Sequence, residues 1–221
     1  MSTEERNDYF FLAANDRYFK PDVSPVGKNV NIKLESDKPG LDTFTQIDLE
    51  DKIGYLLIAA PSTWPPFQTK MRKLSEFLEK WQKKVKIIFV YLAEAHADDV
   101  WPLGYGVNSS KTIEERWANC KQFLSKPLIS EHLGKYIDQI FLDTMDDDYN
   151  NLVGAWPESY VFTDKKGVAL WRSTFDGKDI KELRDADRIF KQMTSITETK
   201  YFLKDYEGWQ SKYNRMEVKN V

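Results

Sequence analysis

The run Ile53-Gly-Tyr-Leu-Leu-Ile-Ala-Ala60 is almost continuously apolar and stops at Pro61, which predicts a strand covered on both faces. Beyond the Pro61-Ser-Thr-Trp-Pro-Pro66 interruption, Met71, Leu74, Phe77, Leu78 and Trp81 recur three and four residues apart and predict a helix with one apolar stripe. Residues 85–92 return to β-branched and aromatic side chains. Strand, helix, strand in that order implies a right-handed crossover between parallel neighbours. Residues 112–124 predict a second helix, with Glu114 and Glu115 in its first turn and Ile113, Trp117, Cys120 and Leu124 on its apolar side. Residues 137–142 predict a short strand, and residues 159–163 and 168–171 bracket Asp164-Lys-Lys-Gly167 as an antiparallel hairpin. Ile180, Leu183, Ala186, Ile189, Phe190 and Met193 suit a further helix, and residues 201–213 another. The expected fold class is therefore α/β, a central mixed β-sheet flanked by helices. Pro21, Pro25, Gly27, Pro39 and Gly40 mark residues 1–43 as an N-terminal arm or capping segment. Residues 44–195 form the sheet domain and residues 196–221 a C-terminal helical extension.

Composition narrows the chemistry. The 221 residues include 7 Trp, 11 Tyr and 13 Phe, enough large apolar surface for one core and for ring-lined pockets. A net charge of -3, from 32 basic and 35 acidic residues, supplies no field for a nucleic-acid backbone or an anionic membrane. A single cysteine, Cys120, excludes an intrachain disulfide, a two-thiol redox centre and a cysteine-rich zinc site, and two histidines exclude a multi-histidine metal site. The charged first residues lack the apolar stretch of a signal peptide and no run is long enough to span a bilayer, so a cytoplasmic location is expected.

An open α/β sheet offers ligands the carboxyl ends of its strands, so the loops after Ala60, Leu92 and Leu142 carry the functional interest. In the first, prolines fix the backbone around Ser62, Thr63, Trp64, Pro65 and Phe67. The second holds Glu94, His96, Asp98 and Asp99 within six positions. An imidazole beside carboxylates exchanges protons near neutral pH, making His96 with Glu94 or Asp99 the candidate acid–base group; hydrogen bonding of His96 to its own loop is the structural alternative. In the third, Asp146, Asp147 and Asp148 offer hard oxygens, but without a glycine-bearing calcium-loop pattern, capping carboxylates are the commoner explanation and no metal is assigned. Cys120, on the apolar stripe, reads as a buried structural thiol, and His132 as a residue of an exposed turn after Pro127. A G-x-S-x-G elbow, a phosphate loop and a dinucleotide fingerprint are all missing.

The loops together carry a wider pattern. Thr63-Trp-Pro-Pro-Phe67 followed by Val90-Tyr-Leu-Ala-Glu-Ala-His-Ala-Asp-Asp-Val-Trp101 resembles the iodothyronine deiodinases, and the likeness continues through Ile113-Glu-Glu-Arg116, Asp143-Thr-Met-Asp146 and Gly154-Ala-Trp-Pro-Glu158. The resemblance implies a thioredoxin-like fold, a cis proline at Pro157, and active-site positions at Glu94 and His96 with Trp101 following them. In that family a selenocysteine precedes the Pro-Pro-Phe element and reductively removes iodine from thyroid hormones; Trp64 stands at that position here. Ser62 stands where family members often place a resolving cysteine, Ser110 where they usually have a second histidine, and Ser159 where an arginine follows Pro-Glu. Ser173-Thr-Phe-Asp-Gly177 departs from a glycine-rich stretch. An indole cannot become a selenolate, and the accompanying losses point to abandoned selenium chemistry.

Two function classes follow. One is a cofactor-independent enzyme using His96 as acid or base, with Glu94 or Asp99 as partner and Trp64, Trp101 and Trp156 holding a small aromatic or apolar molecule; isomerisation, dehydration or cyclisation fits. The other is a catalytically inactive ligand- or protein-binding module in which Trp64 fills the space. A residual oxidoreductase of the family is a further alternative. The expected partner is a small molecule, with neither nucleic acid nor membrane, and the family's habit suggests a homodimer.

Overall fold

The computed structural model describes residues 17–20 and 22–173, so the helices expected at 180–193 and 201–213 lie outside the described residues. Five strands form one sheet in the order β3-β2-β1-β4-β5: β1 Tyr55–Ala60, β2 Lys86–Tyr91, β3 Gln139–Leu142, β4 Ser159–Thr163 and β5 Ala169–Arg172. The first three are parallel, with Ile58 opposite Phe89 and Phe89 opposite Ile140. The hairpin β4–β5 joins antiparallel to β1, with Ile58 opposite Tyr160. Every residue of β1 and β2 is buried, which is why their sequences show no alternation. The result is an α/β thioredoxin-like fold with a central mixed sheet flanked by helices.

Helix α1, Pro65–Thr69, starts on two prolines, whose fixed φ suits a first turn and whose missing N–H groups would have no helical partner there. Helix α2, Met71–Trp81, buries Met71, Leu74, Leu78 and Trp81, the spacing the sequence shows. Helix α3, Ile113–Ser125, differs: Arg116, Cys120 and Phe123 form its buried line, while Ile113, Trp117 and Leu124 are half-buried. A buried arginine on the inner face displaces the apolar stripe by about one position, because one of its guanidinium nitrogens donates to two carbonyls of the β3 loop. His132 ends the short helix α4, Pro127–His132, and is half-buried rather than set in an exposed turn. Helix α5, Asp148–Val153, closes on Gly154 at φ 65, the left-handed conformation that glycine supplies.

The arm has an architectural role. Gly27 N–H donates to the Ala169 carbonyl at 2.8 Å along β5, and Glu35 exchanges backbone hydrogen bonds with Leu142 on β3. Both sheet edges are thereby occupied in part, which protects strands that would otherwise pair with another chain. Val30 and Leu34 from the same segment, with Phe44 directly after it, enter the core beside Tyr55, Leu57, Val90 and Phe141. Among the described residues, no helix is long and apolar enough to cross a membrane.

Candidate functional site

The carboxyl ends of β1 and β2 are joined by one buried carboxylate. Glu94 accepts from Ser62 Oγ at 3.0 Å, from the Thr63 backbone N–H at 3.0 Å, from Thr63 Oγ1 at 2.7 Å and from the Tyr91 hydroxyl. Burial pushes its pKa up despite these donors, and the same burial, together with Glu94 itself, pushes the Tyr91 phenol well above its ordinary value. Thr63 Oγ1 also accepts the His96 backbone N–H at 2.9 Å. Glu94 therefore fixes the first loop against the second, and through Thr63 it sets the backbone position of His96.

The His96 ring is held by aromatic neighbours. Its centroid lies 4.2 Å from that of Trp101, tilted by 51°, and 6.0 Å from that of Trp64, with the two planes within 3° of parallel. His96 is only 5% exposed, and its Nδ1 has no hydrogen-bond partner. Burial lowers its pKa, outweighing a hydrogen bond to the Trp101 backbone that favours the charged form. The imidazole is thus predominantly neutral near pH 7, with one ring nitrogen unengaged.

The carboxylates expected beside this ring are directed elsewhere. Glu94 is committed to Ser62, Thr63 and Tyr91. Asp99 is exposed, accepts from Ser109 N–H at 2.7 Å and from Ser109 Oγ, and lies 3.3 Å from Lys111 Nζ. Neither hydrogen-bonds the imidazole. The aromatic candidates also divide. Trp64 and Trp101 are half-buried at the corner, whereas Phe67 is fully buried against Phe89 and Phe123. Trp156 is 3% exposed, donates from Nε1 to the Ala93 carbonyl at 3.1 Å and faces the Tyr18 ring. The Trp156–Pro157 peptide is cis, and Pro65 begins α1 directly after Trp64.

A second buried carboxylate lies beside Trp64. Glu158 pairs with Lys70 Nζ at 2.9 Å and accepts from the Tyr160 hydroxyl at 2.6 Å. Burial raises its pKa, opposed by Lys70, Tyr160 and the Trp64 indole. Lys70 went unnoticed in the sequence because it falls between two helices on no hydrophobic period.

In the third loop, Asp143 is buried, accepts from the N–H groups of Thr144, Tyr149 and Asn150, and is pushed up to about 6 by burial. Asp147 lies 3.6 Å from Arg17 and from Arg116, and Asp148 accepts from Thr144 Oγ1. These acids cap α5 and balance arginines; among the described residues, no group of three or more His, Cys, Asp or Glu side chains could hold a metal ion. Cys120 is fully buried, and burial pushes its thiol far up. Between the second and third loops lies a cavity of about 450 Å³, lined in part by Glu94, Ser110, Lys111 and Arg116 and closed by Tyr18 of the arm.

A thioredoxin-like sheet whose strand ends gather Thr63, Glu94, His96 and the cis Pro157 defines the class to which this chain belongs. A family model described as iodothyronine deiodinase matches residues 54–186, and the chain belongs to that family. Thyroxine 5-deiodinases of Sus scrofa and Ovis aries are each 25% identical over 127 residues, covering 55% of this chain and 39% and 40% of theirs. The match thus spans less than half the length of these curated relatives. Among solved structures, the thioredoxin domain of a thiol-disulfide oxidoreductase from Bacteroides vulgatus covers 75% of this chain and 96% of its own, at 11% identity and TM-score 0.43. A thioredoxin-like protein from Aeropyrum pernix covers 71% and 89%, at 15% identity and TM-score 0.40.

Proposed function

We propose that this deiodinase-family chain is an enzyme of proton transfer acting on a small aromatic or apolar molecule, with Trp64 standing where the family carries selenocysteine. The observation that carries the proposal is the His96 ring: buried, held neutral by burial, packed near two indoles and left with an unengaged Nδ1. A neutral imidazole nitrogen accepts a proton from a substrate C–H or O–H and returns it to a neighbouring atom, the requirement shared by isomerisation, dehydration and cyclisation. Glu94 acts as a positioning residue through Thr63, and Asp99 holds the outer part of the loop through Ser109. Trp64 and Trp101 supply apolar faces. Thiol chemistry finds no support in a chain whose one cysteine is buried and made a poor nucleophile by burial.

Deuterium incorporation tests this. Aryl and alkenyl ketones incubated with the protein in D2O exchange the C–H adjacent to the carbonyl when a general base acts on it. Wild-type protein is expected to catalyse exchange on a ketone it binds, and His96→Ala to bind that ketone without exchanging it. Equal exchange by both proteins removes His96 from the chemistry. Binding with no exchange or product from wild type favours the second reading, a binding module, which the lack of any carboxylate on the imidazole supports.

A further inference from the structure

The arm is held to the sheet domain in two unlike ways. From Val23 onward it is pinned through its backbone: Arg172 donates to the Val23 carbonyl at 2.8 Å, Gly27 N–H to Ala169 at 2.8 Å, and Ala169 N–H to Lys28 at 2.9 Å along β5. Arg17 and Tyr18 form the arm-side wall of the cavity between the second and third loops. Among the described residues, no backbone–backbone hydrogen bond ties these two to the sheet. Three side-chain contacts hold them instead. Asn150 Nδ2 donates to the Tyr18 carbonyl at 2.8 Å, the Tyr18 ring centroid lies 5.5 Å from that of Trp156, and Arg17, 64% accessible, reaches Asp147 at 3.6 Å. The two regimes meet at one turn, where Val23 N–H donates to the Lys20 carbonyl at 3.2 Å. An aromatic pair, a neutral hydrogen bond and an exposed ion pair together favour the seated arrangement by only about ten- to several-hundredfold. A detached state of roughly 0.3–10% follows, the size of a minor conformation through which ligands act.

We infer that residues 17–20 are a strap that gates this cavity: the strap swings about the Lys20–Val23 turn, carrying Tyr18 off Trp156 and Arg17 off Asp147, and the detached state admits small molecules to the wall made by Glu94, Ala95 and Met145. The inference goes beyond the proposed function and stands apart from it, because a gate serves a binding module as well as an enzyme. The seat of the strap is built into the domain. Glycine at position 154 lets the arm approach, since a Cβ there would lie 2.6 Å from the Lys20 carbonyl oxygen. Asn150, which holds Tyr18, also accepts the Trp156 backbone N–H at 2.7 Å, and Trp156 Nε1 donates to the Ala93 carbonyl at 3.1 Å, directly before Glu94. The strap therefore fastens to the same side chains that hold the start of the second loop. Its edge-covering part stays in place when residues 17–20 leave, because the β5 hydrogen bonds lie beyond the turn.

Thiol labelling of the full chain by N-ethylmaleimide, a neutral probe, tests the gate. Cys120 is fully buried with its thiol pushed far up, so a cysteine introduced on the cavity wall reports alone. Ala95→Cys is the first reporter and Met145→Cys the second, each measured against the exposed Thr69→Cys. With the strap intact, both wall thiols are expected to label about tenfold or more slower than the exposed one. Adding Arg17→Gln, which keeps Tyr18 and removes only the ion pair, is expected to speed labelling about threefold, and about 0.5 M NaCl to do the same to the parent while adding nothing to the Arg17→Gln protein. Tyr18→Ser is expected to speed it about tenfold. Lys111→Gln, which breaks a pair with Asp99 on the second loop, leaves the rate unchanged. A Tyr18 that is merely a fixed wall also gives faster labelling when truncated, so the ion pair decides. Rates within about 1.5-fold of the parent in both Arg17→Gln and high salt, at both reporters, overturn the inference, as does an equal gain from Lys111→Gln.

Discussion

Replacing Thr63 with valine removes one oxygen from the junction of the two loops while keeping the side chain's shape. Two hydrogen bonds disappear: the 2.7 Å bond that Thr63 Oγ1 donates to Glu94, and the 2.9 Å bond it accepts from His96 N–H. Thr63 is fully buried, and His96 and Glu94 are nearly so, so water cannot replace the lost partner without opening the corner. Leaving a buried N–H unsatisfied costs about 1–3 kcal/mol, and a hydrogen bond to a charged group contributes about 1.5–3 kcal/mol. Glu94 keeps its other donors and burial favours its protonated form, so the lower half of each range applies and about 3 kcal/mol is expected in total. Urea unfolding followed by tryptophan fluorescence measures it: with an m-value of about 2 kcal/mol/M, the midpoint falls by about 1.5 M. Thr69→Val, at an exposed position, is the control and stays within about 0.5 kcal/mol of wild type. Combining Thr63→Val with Glu94→Gln gives a coupling above about 1 kcal/mol, because each residue's effect acts through the other. A midpoint shift below about 0.3 M, or strict additivity, refutes the view that Glu94 holds His96 through Thr63.

The His96 ring titrates below its ordinary value of 6.5, readable from its imidazole proton shifts. Because protonation then favours the unfolded chain, stability falls as pH drops below about 6.5, and His96→Gln flattens that part of a pH–stability profile. Asp143 acts in the opposite sense: its folded pKa of about 6 lies above the ordinary 3.8, so its contribution is complete below 3.8 and is lost as pH rises through about 6. The interval amounts to about 3 kcal/mol at most, and Asp143→Asn abolishes it; an unaltered profile between pH 4 and 6 contradicts the assignment. Gly54→Ala places a methyl 2.2 Å from the Thr163 carbonyl oxygen, backbone that must move to admit it, so a loss of about 3 kcal/mol or more is expected in thermal melts, and a loss within error argues against the β1–β4 approach.

The parallel strands were legible because burial on both faces writes a continuous apolar run into residues 53–60 and 85–92, and α2 because solvent on one side writes a stripe. Helix α3 was legible as a helix but not in its facing. A hydrophobic count sees Arg116 as polar and places it outside, whereas carbonyls at the end of β3, distant in sequence, make the inside its better environment. The same limit governs the site. Order along the chain put Glu94, His96 and Asp99 within one loop, and nearness in sequence suggested that they act on one another. Spatially, the β1 loop intervenes: Ser62 and Thr63 take up Glu94, while Ser109 takes up Asp99.

That division bears on what Trp64 does. Trp64, between the end of β1 and the prolines of α1, has its indole parallel to the His96 ring and beside Glu158 of the Lys70–Glu158 pair. A residue serving only to fill space would need a cavity shaped like an indole and nothing else. Trp64 instead favours the charged form of Glu158 while leaving Nδ1 of His96 unengaged. Trp64→Phe separates the two contributions, because it keeps a ring against His96 and removes the indole N–H. If the N–H matters, Glu158 loses a stabilising neighbour and a stability loss of about 1 kcal/mol follows, with the His96 titration unchanged. If the ring alone matters, stability is retained, and only Trp64→Ala, which admits water to the imidazole, raises the His96 pKa back toward 6.5. A ring titration indifferent to both substitutions means that burial of His96 comes from Trp101 and the loop backbone, and that Trp64 has no part in tuning the proposed base.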